Sequence, residues 1–223
     1  MNYEQARFNM IEQQIRPWEV LDDHVLSLLA VVRREDFVPP AHRALAFADM
    51  ELPLAGASAV EPGQCMLAPK VEARLLQDLA VQKHQTVLEI GTGSGYMTAL
   101  LAHRAREVLT LEIDPGLASI ARKNLLRAGI HNAQVRTADG SKPGELGGPF
   151  DVIVLSGSVA DVPAALLSLL KVGGRLSAIT GFEPMMHATL ITCVAPEAMR
   201  TTTAWDTVAP RLLNFPEPSN FRF

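Results

Sequence analysis

A chain of 223 residues with 48% hydrophobic and 20% charged residues has the composition of one sizeable globular domain. Its formal net charge of -4 lacks the basic footprint of a general nucleic-acid binder, so no nucleic-acid partner is expected. No apolar run approaches the roughly 18 residues of a membrane helix, and the polar start MNYEQARFNMIEQQIRPW has no leader-like apolar region.

The chain opens with two helical patterns. Phe8, Ile11 and Ile15 recur at helical spacing until Pro17, and Leu21, Val25, Leu28, Leu29 and Val32 form a second apolar stripe. Residues 39–69 hold prolines at 39, 40, 53, 62 and 69 and read as loop with short pieces of structure. Pro69 suits the first position of a helix carrying Val71, Leu75, Leu76 and Leu79. From residue 86 strands and helices alternate. TVLEI (86–90) precedes a helix over 97–103, and EVLTLEI (107–113) precedes a helix that Asp114 caps and Pro115 opens. AQVRTAD (133–139) and FDVIVLS (150–156) are the next strands. A helix with Leu166, Leu167 and Leu170, capped by Asp161 and stopped by Gly173-Gly174, leads to RLSAIT (175–180). ATLITCV (188–194) and WDTVAPRLL (205–213) read as a closing pair. The pattern specifies an α/β fold: a doubly wound, mostly parallel seven-stranded sheet with helices on both faces. An N-terminal part, residues 1–69, is expected to pack on a ligand-binding domain of residues 70–223.

Between the first strand and its helix lies Glu89-Ile-Gly91-Thr92-Gly93-Ser-Gly95-Tyr96. The dinucleotide fingerprint G-x-G-x-x-G would place its last glycine at 96, where this chain has Tyr. Glycines at 91, 93 and 95 let backbone approach a ligand that a Cβ would exclude. In doubly wound sheets ligands lie beyond the carboxyl ends of the strands. Glu112-Ile113, ending the second strand, can accept both hydroxyls of a ribose, and Asp139-Gly140, ending the third, can meet an adenine amino group. Glu89 brings negative charge to the loop, which suits an ammonium or sulfonium better than a pyrophosphate. These strand ends together point to an adenosine-containing, cationic ligand.

The run V-L-E-I-G-T-G-S-G-Y, with E-I-D after the second strand, resembles class I methyltransferases that use S-adenosyl-L-methionine. More narrowly the chain resembles the protein-L-isoaspartate O-methyltransferase family. That likeness rests on V-R-R-E-D-F-V-P-P (32–40), A-D-M-E-L-P-L (48–54), G-Q-C-M-L-A-P (63–69), A-D-G (138–140), P-F-D-V-I-V (149–154) and L-K-V-G-G-R-L (170–176). The resemblance implies a Rossmann-like methyltransferase with S-adenosyl-L-methionine as cofactor, bound through Glu89, Gly91, Thr92, Gly93, Gly95, Glu112, Ile113, Asp139 and Gly140. It also implies a protein or peptide substrate with a free carboxylate, that of isoaspartyl residues in damaged proteins.

A carboxylate is ionised at neutral pH, so the chemistry asks for positioning rather than a general base. No catalytic acid or base is therefore assigned. Cys65, Met66, Leu67, Ser156 and Ser158 are the candidates to line the acceptor pocket. The family has Thr and Ser where this chain has Cys65 and Leu67. A thiol is a weak donor and Leu is none, so weak or absent methylation of isoaspartyl peptides is expected. Two readings stay open beside the first: a methyltransferase with a less polar acceptor, and a cofactor-binding module without turnover. Two unpaired cysteines, Cys65 and Cys193, and six histidines without metal-ligand spacing point to a cytoplasmic protein with no metal site. A monomer is expected rather than an oligomer.

Overall fold

The structure is a computed structural model that describes residues 2–54, 64–144 and 146–217. Helix α1 (Tyr3–Met10) starts where the Asn2 side chain accepts the Gln5 N–H at 3.2 Å. It loosens into a wider turn over Ile11–Ile15 and tightens over Arg16–Trp18, where Pro17 ends the run as its missing N–H requires. Helix α2 (Asp23–Val31) is capped by Asp22. Two short strands, β1 (Leu52–Pro53) and β2 (Cys65–Met66), pair antiparallel and seat Leu52 opposite Met66. Helix α3 (Pro69–Leu79) follows, with Pro69 at its first position.

The alternating half contains β3 (Thr86–Ile90), α4 (Tyr96–Arg104), β4 (Glu107–Glu112), α5 (Pro115–Arg127), β5 (Ala133–Thr137) and β6 (Phe150–Val159). It closes with α6 (Ala164–Leu167), β7 (Leu170–Phe182), β8 (Met185–Ala195) and β9 (Ala198–Asp206). These form a seven-stranded sheet in the order β5-β4-β3-β6-β7-β8-β9, its first five strands parallel and β8 and β9 antiparallel.

Alternation along the strands divides the core. Val87, Val108, Val152, Val154 and Ile179 face α2, α3, α4 and α5, and Met10 and Ile15 from the N-terminal part join the same buried cluster. Leu88, Ile90, Ile153, Leu155 and Leu176 face the other way, toward Leu166 of α6 and Phe215 of the C-terminal segment. Helices thus cover the two faces unequally. Burying one such side chain stabilises by ~1.5–3 kcal/mol, so both layers hold the sheet. Among the described residues no helix is long and apolar enough to cross a membrane.

Three local expectations are corrected. The short helix before β7 is entered through Pro163 rather than Asp161, and Leu170 belongs to the strand. Gly173-Gly174 does not stop a helix. It lies at a register shift between β6 and β7, where a Cβ on Gly174 would stand 2.8 Å from the Lys171 carbonyl oxygen. The partner of β8 is β9, and only Trp205 and Asp206 of the expected 205–213 strand lie in it. Strand β9 is an exposed edge rich in Thr, so no apolar alternation marks it in the sequence. Residues 207–213 instead run back to β6, where Arg211 bridges Ser158 in parallel.

Candidate active site

The loop after β3 carries Gly91, Gly93 and Gly95 at φ of 93°, 53° and 86°. These are left-handed conformations that a side chain would strain. The Gly91 and Thr92 N–H groups both donate to the Leu111 carbonyl, at 2.9 and 3.2 Å, which ties the loop to the end of β4. There the Glu112 carboxylate accepts the Gly93 N–H at 2.7 Å and the Asp114 N–H at 3.0 Å. Burial raises its pKa. Each oxygen keeps a lone pair for another donor. Gly140 follows β5 so close to β3 that a Cβ there would lie 2.3 Å from the Ile90 Cγ2, which explains a glycine at that position.

A cavity of about 90 Å³ lies against this cradle. Gly91, Gly93, Glu112, Ile113 and Gly140 of the expected cofactor set line it, and Cys65, Leu67 and Ser156 of the expected acceptor set line it too. The β1–β2 pair brings the acceptor loop here, because Leu54 N–H donates to the Gln64 carbonyl at 2.8 Å and closes the strand pair over the glycines. Gly63, the start of the family loop, lies outside the described residues.

The loop's far side is anchored by Arg34, a fully buried side chain from the V-R-R-E-D-F motif. Its guanidinium ion-pairs with Glu72, donates to the Leu67 carbonyl at 2.7 Å and to the Ala46 carbonyl at 3.1 Å, and stacks on Tyr96 at 5.0 Å. One charge therefore holds the N-terminal part, the acceptor loop, α3 and α4 together. At the cavity edge the Cys65 thiol is pushed up to about 12, first by burial and then by the neighbouring Glu51 carboxylate, so it stays a neutral thiol.

Six residues expected at the site stand outside the cavity lining. Glu89 is fully buried beneath the loop, where Thr98, Thr110 and Ser156 hydroxyls all donate to its carboxyl group. Burial pushes its pKa up to about 7 against those three donors. Its carboxyl group is thus linked to the cavity through Ser156 rather than by contact. The Thr92 hydroxyl pairs with Thr110 at 2.6 Å, and Gly95 serves as the cap of α4. Met66 points into the core, because the residues flanking it in the extended segment take the opposite face. The Ser158 hydroxyl is buried and donates to the Ala209 carbonyl at 2.7 Å, so it fastens the C-terminal segment. Asp139 sits at the rim, its carboxylate accepting from Ser141 at 2.7 Å and from Asn214 at 3.0 Å.

The C-terminal segment was not legible as part of the site. Pro210, Arg211, Leu212, Leu213 and Phe215 line the cavity. A Cβ on Gly91 would lie 2.9 Å from a Leu212 methyl, and one on Gly157 2.8 Å from the same methyl. Leu212 thus fills the space between the ends of β3 and β6. The available sequence signal is Leu212-Leu213 after Pro210-Arg211, which a strand would equally explain.

A parallel sheet whose central strand ends in a glycine cradle, with an acid closing the next strand, defines a Rossmann-like methyltransferase. The match to known proteins is narrower. Residues 5–190 match the family Protein-L-isoaspartate(D-aspartate) O-methyltransferase (PCMT), and the chain belongs to it. A protein-L-isoaspartate O-methyltransferase of Methanoculleus marisnigri is 37% identical over 175 residues, covering 78% of this chain and 77% of that one. Its counterpart in Myxococcus xanthus is 44% identical over 157 residues, covering 70% of this chain and 71% of its own. Among solved structures, a protein-L-isoaspartate O-methyltransferase from Plasmodium falciparum in complex with S-adenosyl-L-homocysteine shares the fold. Its TM-score is 0.77 at 19% identity, over 95% of this chain and 98% of that one.

Proposed function

We propose that this chain transfers the methyl group of S-adenosyl-L-methionine to the free carboxylate of isoaspartyl residues in proteins or peptides. The observation that carries the reading is one cavity bounded on one side by Gly91, Gly93 and Glu112 and on the other by the Cys65–Leu67 loop. The residues fit the cofactor. The glycines leave space that a Cβ would fill, Glu112 offers acceptor lone pairs at the strand end where a ribose binds, and apolar Leu111, Ile113 and Leu117 supply a wall for a flat ring. The cofactor supplies a methyl already activated on a sulfonium, so transfer to a carboxylate oxygen forms one C–O bond, breaks one C–S bond and moves no proton.

The chain's own contribution is positioning and exclusion of water. Holding two reactants in attack geometry lowers a barrier by up to ~7–11 kcal/mol. Leu54, Leu67 and Leu212 make the wall of the reaction space apolar. Glu112 and the loop amides fix one reactant, and the acceptor loop, clamped by Arg34, fixes where the other enters. Labelled methyl incorporation into an isoaspartyl peptide, with the aspartyl peptide as control, tests the reading; no incorporation by a protein that binds the cofactor product rejects it.

A second reading is favoured by one observation. Leu67 and a neutral Cys65 thiol beside Glu51 stand where the family carries hydroxyls, which suits a less polar acceptor. Methyl labelling of cell lysate without labelling of isoaspartyl peptide would select it.

A further inference from the structure

The acceptor loop lacks its hydroxyls, yet the opposite wall of the same cavity carries a cation. Arg211 is the only cationic side chain among the described residues that line the cavity. It also lines an outer groove of about 310 Å³ with Glu51 and Glu183, again as its only cation among described residues. Pro210, Arg211 and Leu213 are the partition between the two spaces. Gly91 and Ser156 line the inner space, so the partition stands between them and the outer groove.

The position of Arg211 is set by backbone. Ser158 N–H donates to the Pro210 carbonyl at 2.8 Å and Leu212 N–H to the Ser158 carbonyl at 2.9 Å, which lays the segment along the end of β6. The guanidinium is oriented by a bond from Nη2 to the Gly181 carbonyl at 2.6 Å and by the Phe182 ring, 5.0 Å away. Nη1 makes a longer contact with the Ser158 hydroxyl at 3.4 Å. A guanidinium has five N–H donors in a fork that matches a carboxylate. The protein-facing groups use two of them. The Nε edge faces a carboxylate of the chain itself: Glu217 Oε1 lies 3.2 Å away, on a side chain that is 61% exposed. An ion pair with an exposed partner is worth little and exchanges readily.

We propose that Arg211 anchors the carboxylate of the methyl acceptor, replacing the hydroxyls that Cys65 and Leu67 cannot provide, and that Glu217 holds this anchor until an isoaspartyl chain displaces it. The inference rests on the proposed function and assigns a residue to its acceptor. A carboxylate that takes the place of Glu217 and accepts from Nε at one oxygen leaves its second oxygen for methylation. The neighbouring Glu51 and Glu183 repel an approaching carboxylate, which makes a cation at the partition more decisive.

The test uses the full chain and the variants Arg211→Gln, Arg211→Lys and Glu217→Ala. Steady-state methylation of an isoaspartyl peptide is measured beside equilibrium binding of that peptide to protein saturated with S-adenosyl-L-homocysteine. Loss of a charged hydrogen-bond partner predicts a rise of about 10- to 100-fold in peptide KM and Kd for Arg211→Gln. S-adenosyl-L-homocysteine has an α-carboxylate of its own that could take this cation, so its affinity is measured separately. A change within about twofold is expected, and a loss as large as that for the peptide overturns the assignment of Arg211 to the acceptor. Arg211→Lys should recover part of the loss. Glu217→Ala should lower peptide KM, an improvement that a merely structural Arg211 would not produce. Unchanged peptide KM and Kd in Arg211→Gln, with an active native protein, overturns this inference alone. If Arg211→Gln does not fold, a Glu217→Ala variant with native KM overturns it. A native protein that binds the cofactor product but neither binds nor methylates isoaspartyl peptide overturns the proposed function, and this inference with it.

Discussion

Restoring hydroxyls to the acceptor loop, by Cys65→Thr with Leu67→Ser, perturbs the site where it differs most from its family. Leu67 is 5% exposed, its backbone is pinned by Arg34, and its side chain forms cavity wall. The substitution therefore changes chemistry without releasing the loop. A hydroxyl that donates to a charged group contributes ~1.5–3 kcal/mol, and burying a carboxylate beside Leu adds a desolvation cost that Ser removes. Two hydroxyls sharing one carboxylate with Arg211 are coupled and do not add. We expect a total gain of ~1.5–3 kcal/mol, one to two decades in kcat/KM for an isoaspartyl peptide, over weak native activity. Removing the buried Leu side chain costs stability, ~2–3 kcal/mol, so melting temperature is followed in parallel. The assay is labelled methyl incorporation at saturating cofactor, with calorimetric affinity for S-adenosyl-L-homocysteine as the control for an intact cradle. Equal, strong activity in native and double-variant proteins would refute the expected gain, because the carboxylate would then be held in full by Arg211 and the backbone, with nothing left for the hydroxyls to add. Activity in neither protein would move the assignment to another acceptor.

Three further outcomes are expected. Glu112→Ala removes the acceptor of two backbone N–H groups and the proposed acceptor of the ribose hydroxyls, so calorimetry should show cofactor-product affinity weakened by ~1.5–3 kcal/mol, with NAD unable to compete; unchanged affinity would place the ligand elsewhere. Gly93→Val should lose cofactor binding yet remain folded by circular dichroism. At φ 53° a branched side chain costs ~1–2 kcal/mol, and its Cβ would meet Leu54 at 3.2 Å; an unfolded variant would make the loop's role structural. Glu89 holds its proton up to about pH 7 in the folded protein, against an ordinary value of 4.5, so between those values the native state binds more protons than the unfolded one. Stability is then highest below the lower value and falls as pH rises toward 7, by ~3 kcal/mol from this group. Glu89→Gln keeps the acceptor for Thr98 and Thr110 and should flatten that slope in urea titrations; parallel native and variant profiles would show that the group ionises normally.

The glycine-lined side of the cavity was legible because it depends on neighbours in sequence. A strand end, a glycine loop and a helix start are contiguous, so Gly91, Gly93, Glu112 and Gly140 could be placed from strand periodicity and the rule that ligands lie at carboxyl ends. The strands β3, β4 and β6 were legible for a similar reason: each is a mostly apolar run with buried residues on both faces, whereas the edge strand β5 exposes Gln134, Arg136 and Thr137. Where a strand is polar and exposed, as in β9, or where Gly173-Gly174 serves a bulge, periodicity carries no signal, and those readings failed.

The amino-acid sequence by itself determined the sheet, the glycine cradle, the acid at the end of β4 and the loss of two family hydroxyls at Cys65 and Leu67. Tertiary structure alone decided which polar groups are spent and which are available. Glu89 could be placed beside the loop from its number, but only packing puts three hydroxyls on its carboxyl group and removes it from the cavity. Ser156 and Ser158 are two residues apart, yet the first lines the cavity and the second fastens residue 209. Leu212 and Arg211 arrive at the site across more than fifty residues of chain, by a backbone bridge to Ser158 that no local pattern encodes. The physical reason is that burial and hydrogen-bond partnership are properties of the assembled neighbourhood, whereas strand and loop identity are written residue by residue along the chain.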